Sequence, residues 1–324
     1  MNAGSLSRVG IHSALLSCAL FLSSAALAQP PPGCDRACLE GLVDRYLEAL
    51  VTHDPSRAAF AANVKVTENG QNLGIGQGLW KTASKDSSYR LYFADPLPGQ
   101  VGFIGVIEEN EQPAVIALRL KAQDGQITEA ETIVSRVQAG GFARVENFVE
   151  PYPVLVEALT PEQRVPRAEL IAAANSYFTG LDTEESGANV PFDDRCQRRE
   201  NGAITANNPA PDAQGMAAMG CKAQFDTGFS AFVTDIRERR FPVVDEERGL
   251  VFTVIFFDHA GDVASYARPD GTVVPVGAAF RRPLTFMIGE LFKIESGKIP
   301  KSKPCSCKYR TACPPVGRSG FRPR

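Results

Sequence analysis

Two tyrosine–glutamate pairs recur in this chain at nearly one spacing. Tyr46 lies 22 residues before Glu68, and Tyr177 lies 23 before Glu200. A phenol and a carboxylate sharing an apolar interior form an acid–base pair, because burial disfavours the ionised carboxylate and raises its pKa toward the range a general base needs. The structural alternative makes each tyrosine a core aromatic with its hydroxyl satisfied. Glu68-Asn69-Gly70 and Glu200-Asn201-Gly202 are then turns whose Asn-Gly requires positive φ. The structural alternative carries more weight, and the presence of both residue types in both places is what keeps the chemical reading beside it.

Other candidates carry less. His53 precedes Asp54-Pro55 and reads as a helix-junction residue, and His259 reads as part of a surface hairpin. Neither has neighbours at metal-ligand spacing, so a histidine-rich metal site is excluded. Gly74-Ile75-Gly76-Gln77-Gly78-Leu79-Trp80 lacks the lysine of a phosphate loop and reads as a strand-edge loop, with Trp80 at a pocket rim or in the core. There is no G-x-S-x-G elbow, hence no support for a serine hydrolase. No cofactor motif is present, and a cofactor-free protein is expected. The stretches 237–240 and 245–248 mix both charge signs and read as solvated or interdomain salt-bridge surface.

These residues need elements to position them. Leu39, Leu42, Val43, Tyr46, Leu47 and Leu50 recur at helical spacing, and Asp54-Pro55 opens a second, shorter helix through Ala62. Strands follow at 64–67, 89–94, 101–107, 114–121 and 127–134, with Asp124-Gly125 as a hairpin turn. Helices before a run of antiparallel strands argue an α+β fold with helices covering one face of a sheet. Residues 138–166 form a linker rich in proline, after which Leu170, Ile171, Ala174, Tyr177, Phe178 and Leu181 mark a new helix and the order repeats. We read two tandem α+β units, 34–137 and 167–300, the second enlarged by an insertion at 203–249.

Residues 1–28 read as a signal peptide: Arg8, an apolar stretch, and Ala26-Leu27-Ala28 as cleavage site. A secreted or periplasmic product follows, and no later apolar run is long enough to span a membrane. The formal net charge of −3 gives no electrostatic reason to expect nucleic acid. Cys34, Cys38, Cys196 and Cys221 allow three pairings; Cys34–Cys38 with Cys196–Cys221 is preferred, since each pair is local.

The helix tyrosine, turn aspartate and strand carboxylate of Arg45-Tyr46-Leu47-Glu48-Ala49-Leu50, then His53-Asp54, then Val64-Lys65-Val66-Thr67-Glu68, resemble the pattern of the nuclear-transport-factor-2-like superfamily, which includes SnoaL-type cyclases and ketosteroid isomerases. That resemblance implies two cone-shaped units, each of helices on a curved antiparallel sheet around one apolar pocket. It implies an apolar small molecule as ligand and, for an enzyme, an isomerase, dehydratase or lyase. Tyr46 and Tyr177 would donate to a developing oxyanion, and Glu68 and Glu200 would move the proton. The family's second oxyanion acid falls on Ala117 and Gly289, so Arg119 or Glu131 is the candidate replacement. Trp80, Tyr89 and Tyr92 are candidate walls of the first pocket, which we favour. The alternative is a non-catalytic binding or envelope-interaction module. The two halves can pair as a pseudo-dimer within one chain, or two chains as a homodimer.

Residues 301–324 do not continue the pattern: they are basic, cysteine-bearing and aperiodic. They read as a basic tail or as a frameshift. Taking the last base of each codon with the first two of the next restores an alternating strand with a glutamate at position 303, opposite Glu131. Resequencing the gene across codon 300 is expected to show a frame change; an intact frame there ends the idea.

Overall fold

The computed structural model describes residue 1 and residues 34–86, 88–137, 143–182, 186–194, 196–299 and 310–312. The expected signal peptide and most of the tail lie outside the described residues. Helix α1 (Arg36–Val51) starts where the Asp35 carboxylate accepts from the Cys38 N–H at 2.9 Å, and the Cys34–Cys38 disulfide closes the same turn. Its apolar stripe, Leu39 to Leu50, is fully buried.

The second helix expected from Asp54 does not form. Only a 3-10 turn, Pro55–Arg57, follows, and the chain is already extended at Phe60. Parallel pairing of β1 (Phe60–Glu68) with β7 (Gln126–Arg136) claims these residues, Phe60 against Ile127 and Thr67 against Glu131. Between them come β2 (Gln71–Leu73), β3 (Ala83–Asp86), β4 (Leu91–Asp95), β5 (Gln100–Glu109) and β6 (Gln112–Gln123). The sheet runs β2-β1-β7-β6-β5-β3, with β4 also on β5.

The described part of the linker, from residue 143, packs against the rest of the chain. It carries α2 (Pro153–Val156), buries Phe148, Leu155 and Leu159, and donates the Leu159 N–H to Glu247 O at 2.9 Å. Helix α3 (Arg167–Asp182) follows, then the hairpin β8 (Arg199–Glu200) and β9 (Ala203–Ile204), and α4 (Cys221–Phe225). The Cys196–Cys221 disulfide ties that hairpin's approach to α4, so both expected pairings form. The second sheet runs β10 (Asp235–Asp245), β11 (Leu250–His259), β14 (Leu284–Lys293) and β15 (Arg310–Ala312). A separate hairpin, β12 (Ser265–Ala267) with β13 (Val273–Pro275), interrupts β11 and β14. The stretch 203–249 contains β10, a full member of the second sheet. No helix among the described residues is long and apolar enough to cross a membrane.

Alternation gives each sheet two faces. In β6, Ala114, Ile116, Leu118 and Leu120 face α1, while Val115 and Ala117 face the other sheet. On β11 and β14, Val251, Ile255, Ile288 and Phe292 face α3, and Phe252, Val254, Met287 and Leu291 meet the first sheet. The contact is close enough to dictate residue size. A Cβ on Gly289 would stand 3.0 Å from Ala117 Cβ and 3.1 Å from the Phe252 ring. Ala117 and Gly289 thus lie on the face between the sheets, not in a pocket, and are small because they meet each other.

Two buried carboxylates close this contact reciprocally. Asp95, at the end of β4, accepts from Arg167 at the start of α3 (2.6 Å) and from the Val244 N–H (3.0 Å). Asp245, at the end of β10, accepts from Arg36 at the start of α1 (2.7 and 2.8 Å) and from the Ala94 N–H (3.2 Å). The Asp245 side chain is wholly inaccessible, so Asp245→Ala takes the buried partner from Arg36 and from the Ala94 and Arg248 N–H groups and is expected to cost about 3 kcal/mol of unfolding free energy. Glu247→Ala, which removes the half-exposed outer partner of Arg36, is expected to cost less than about 1 kcal/mol. Urea denaturation of the two variants checks the contrast.

Candidate functional site

The hairpin β8–β9 and the far ends of β11 and β14 enclose a cavity of about 310 Å³ in the second half. Its wall is aromatic and aliphatic: Phe229, Phe257, Phe280, Phe286 and Ile288 line it. Its floor is polar and tied together. Arg198 donates to Glu200 Oε1 and to Gln224 Oε1, both at 2.6 Å, and its guanidinium lies 5.5 Å from the Phe229 ring centre. The Thr205 hydroxyl donates to Glu200 at 3.4 Å. Gln224 in turn donates to the carbonyls of Thr205 and Met216. Asn201 completes the floor.

His259 belongs to this cavity, contrary to the surface hairpin expected from sequence. It is 5% exposed, stacks on Phe232 at 5.7 Å and 27°, and lies 5.4 Å from Phe280. Strand alternation was the available signal: His259 stands two residues beyond Phe257, on the face that carries Val251 and Ile255. Phe280 comes from the 260–283 segment, where no periodicity marked it.

Of the sequence candidates, Glu200 lines the cavity. Tyr177 lies behind it, completely buried, with the rings of Phe178, Phe225 and Phe292 at 5.6, 4.8 and 5.5 Å. The first half differs: its interior is occupied by its own side chains. The Tyr46 ring sits 5.2 Å from Trp80 and 6.0 Å from Phe60, and its hydroxyl accepts from Trp80 Nε1 at 3.2 Å. Burial pushes the Tyr46 phenol above its ordinary pKa. Glu68 accepts from the Leu79 N–H at 2.7 Å and from Arg136 at 3.4 Å, fastening the 74–80 loop to β1.

The remaining expected wall residues point elsewhere. Tyr89 packs in the cluster between the sheets, 5.1 Å from Phe148. Tyr92 is half-buried beside α1 and donates to Asp44 at 2.6 Å; burial and that carboxylate push its phenol well up. Arg119 and Glu131 face each other across β6 and β7 at 3.0 Å, and Arg240 of β10 reaches Glu131 at 2.6 and 3.1 Å. They form an inter-sheet ion network rather than part of a pocket, because their positions share the outward face with Ala117.

A family model described as a domain of unknown function (DUF8021) matches residues 163–302, the segment that holds the cavity. No curated protein matches the chain. Among solved structures, a de novo designed protein with a curved beta-sheet is similar at 14% identity and TM-score 0.26, over 31% of this chain and 86% of its own. A "putative ketosteroid isomerase" from Kribbella flavida DSM 17836 is similar at 15% identity and TM-score 0.27, over 39% and 93%. A protein from Sphaerobacter thermophilus is similar at 16% and 0.22, over 30% and 94%. Scores at this level carry no weight for chemistry, and the site stands on its own geometry.

The Glu131 network has a pH signature. Burial alone would raise the Glu131 pKa, but Arg240 and Arg119 more than offset it and hold the carboxyl below its ordinary value of 4.5. A carboxyl depressed in the folded state contributes stability above its unfolded pKa and loses it as pH falls through the folded value. Unfolding free energy measured from about pH 6 down to about pH 3 is expected to fall less steeply in Glu131→Gln than in the wild type.

Proposed function

We propose that this is an exported protein that binds a mainly apolar small molecule in the cavity of its second half, with the first half serving as its rigid support. The observation that carries this reading is the cavity itself: an aromatic wall over a polar floor is how small-molecule sites are generally built, whereas Tyr46, Phe60 and Trp80 fill the first interior. The two disulfides suit an oxidising compartment.

We further propose that the chain is a tandem pair of nuclear-transport-factor-2-like units joined as an intramolecular pseudo-dimer. The reciprocal Asp95–Arg167 and Asp245–Arg36 contacts support this, since a self-complementary interface is the mark of two-fold pairing. Matched turns agree: Asn69-Gly70 and Asn201-Gly202 have φ of 49° and 77° against 46° and 85°, and Asp124-Gly125 and Ser296-Gly297 have 51° and 73° against 49° and 73°.

The second reading is a cofactor-free isomerase, dehydratase or lyase that moves a proton at Glu200, favoured by the presence of Glu200 and His259 in one cavity. The ion pair to Arg198 weights the balance toward binding, because it fixes Glu200 to the floor. Calorimetric titration with 2-naphthol is expected to give one site per chain, and Val233→Trp, which fills the cavity, is expected to remove it. Binding that survives Val233→Trp overturns the cavity assignment. Glu200→Gln is expected to retain binding; loss of a turnover detected in the wild type, with binding kept, favours the enzyme.

A further inference from the structure

Asn201 is explained in part by its turn, since asparagine tolerates positive φ. Its side chain needs another account. Asn201 is 5% exposed, lines the cavity, and donates its Nδ2 to the Ser135 hydroxyl at 3.1 Å, while its Oδ1 is buried with no hydrogen-bond partner. An acceptor buried in this way carries an unpaid desolvation cost unless a ligand supplies the donor.

The matched turn in the first half is an internal control. Asn69 has the same backbone conformation, yet its Oδ1 accepts from the Val134 N–H at 2.8 Å. The turn as such does not leave the amide oxygen idle. Other groups on the cavity floor are already engaged: both ends of the Gln224 carboxamide are bonded, and Thr205 donates to Glu200.

Resting on the cavity reading above, we propose that Asn201 recognises the ligand, and that the ligand is an uncharged ring compound whose hydroxyl donates to Asn201 Oδ1. The lack of charge follows from the floor and the wall together. Arg198 and Glu200 neutralise each other at 2.6 Å, and a further charge among Phe229, Phe257, Phe280 and Phe286 would lose its hydration without compensation. A ring body suits the aromatic wall, which offers both faces and edges for contact. The cavity volume lies toward the small end for such sites, roughly 300–1,000 Å³, so the ligand is compact.

The test titrates the full-length protein by calorimetry with 2-naphthol, 2-methoxynaphthalene and 2-acetylnaphthalene, matched rings that differ in donor and acceptor. The wild type is expected to prefer 2-naphthol over the ether by about tenfold, the worth of one buried hydrogen bond. Asn201→Gly, which keeps the turn, is expected to abolish that preference while leaving the ether's affinity in place. Asn201→Asp, which keeps both the turn and an acceptor oxygen, is expected to retain it. A preference unchanged in Asn201→Gly, or an equal loss for both probes, makes Asn201 a turn residue only and overturns the proposal while the cavity reading stands. Preference for the ketone places the amide nitrogen in the cavity and overturns the hydroxyl assignment. Failure of all three probes to bind the wild type removes the cavity reading, and this proposal with it.

Discussion

The contact between the two sheets is the constraint on which the rest of the structure depends. Each sheet has one face against its own helix and one that would otherwise be an exposed apolar surface. Packing those outer faces together buries Phe93, Ile104, Phe252 and Leu291 at once. The margins are then fixed by directional bonds. Asp95 and Asp245 each take an arginine from the helix of the other half and a backbone N–H from the strand of the other sheet. Because these carboxylates are buried, the bonds are made in a medium where an unmatched charge is costly, and the register between the sheets is set accordingly.

This arrangement leaves the two interiors free to differ. In the first half, Trp80 enters from the 74–80 loop, and its indole N–H finds the Tyr46 hydroxyl. The loop is held by Glu68, whose carboxylate accepts from the Leu79 N–H beside Trp80. In the second half, the turn after β8 carries Glu200 and Asn201, and the chain beyond it passes through α4 and the Phe229–Phe232 turn before joining β10. That longer route surrounds a space instead of filling one. The 260–283 segment adds Phe280 to its rim.

The polar floor also has a structural logic. Arg198, 3% exposed, is a buried cation and needs compensation. Glu200, Gln224 and the Phe229 ring supply it. These floor groups bond one another within the chain, and a floor fixed in this way under a mostly apolar wall limits what a bound group would have to organise.

The sequence by itself determined helices α1 and α3, most of the strands, both disulfides, and the turns at Asn69-Gly70, Asp124-Gly125 and Asn201-Gly202, because periodicity, cysteine spacing and positive-φ chemistry are local properties. It did not determine which face of each strand met what. Ala117, Arg119, Glu131 and Tyr89 were legible as strand residues, but a period of two gives two sides without naming their partners, and only the docking of the second sheet decided that those positions face it. The extended start of β1 was likewise hidden, since its partner β7 lies some sixty residues on. His259, Phe280 and Asn201 come from three separated segments whose meeting is a property of chain packing alone, and tertiary structure decided that they share a cavity while Tyr46 and Trp80 share a filled core.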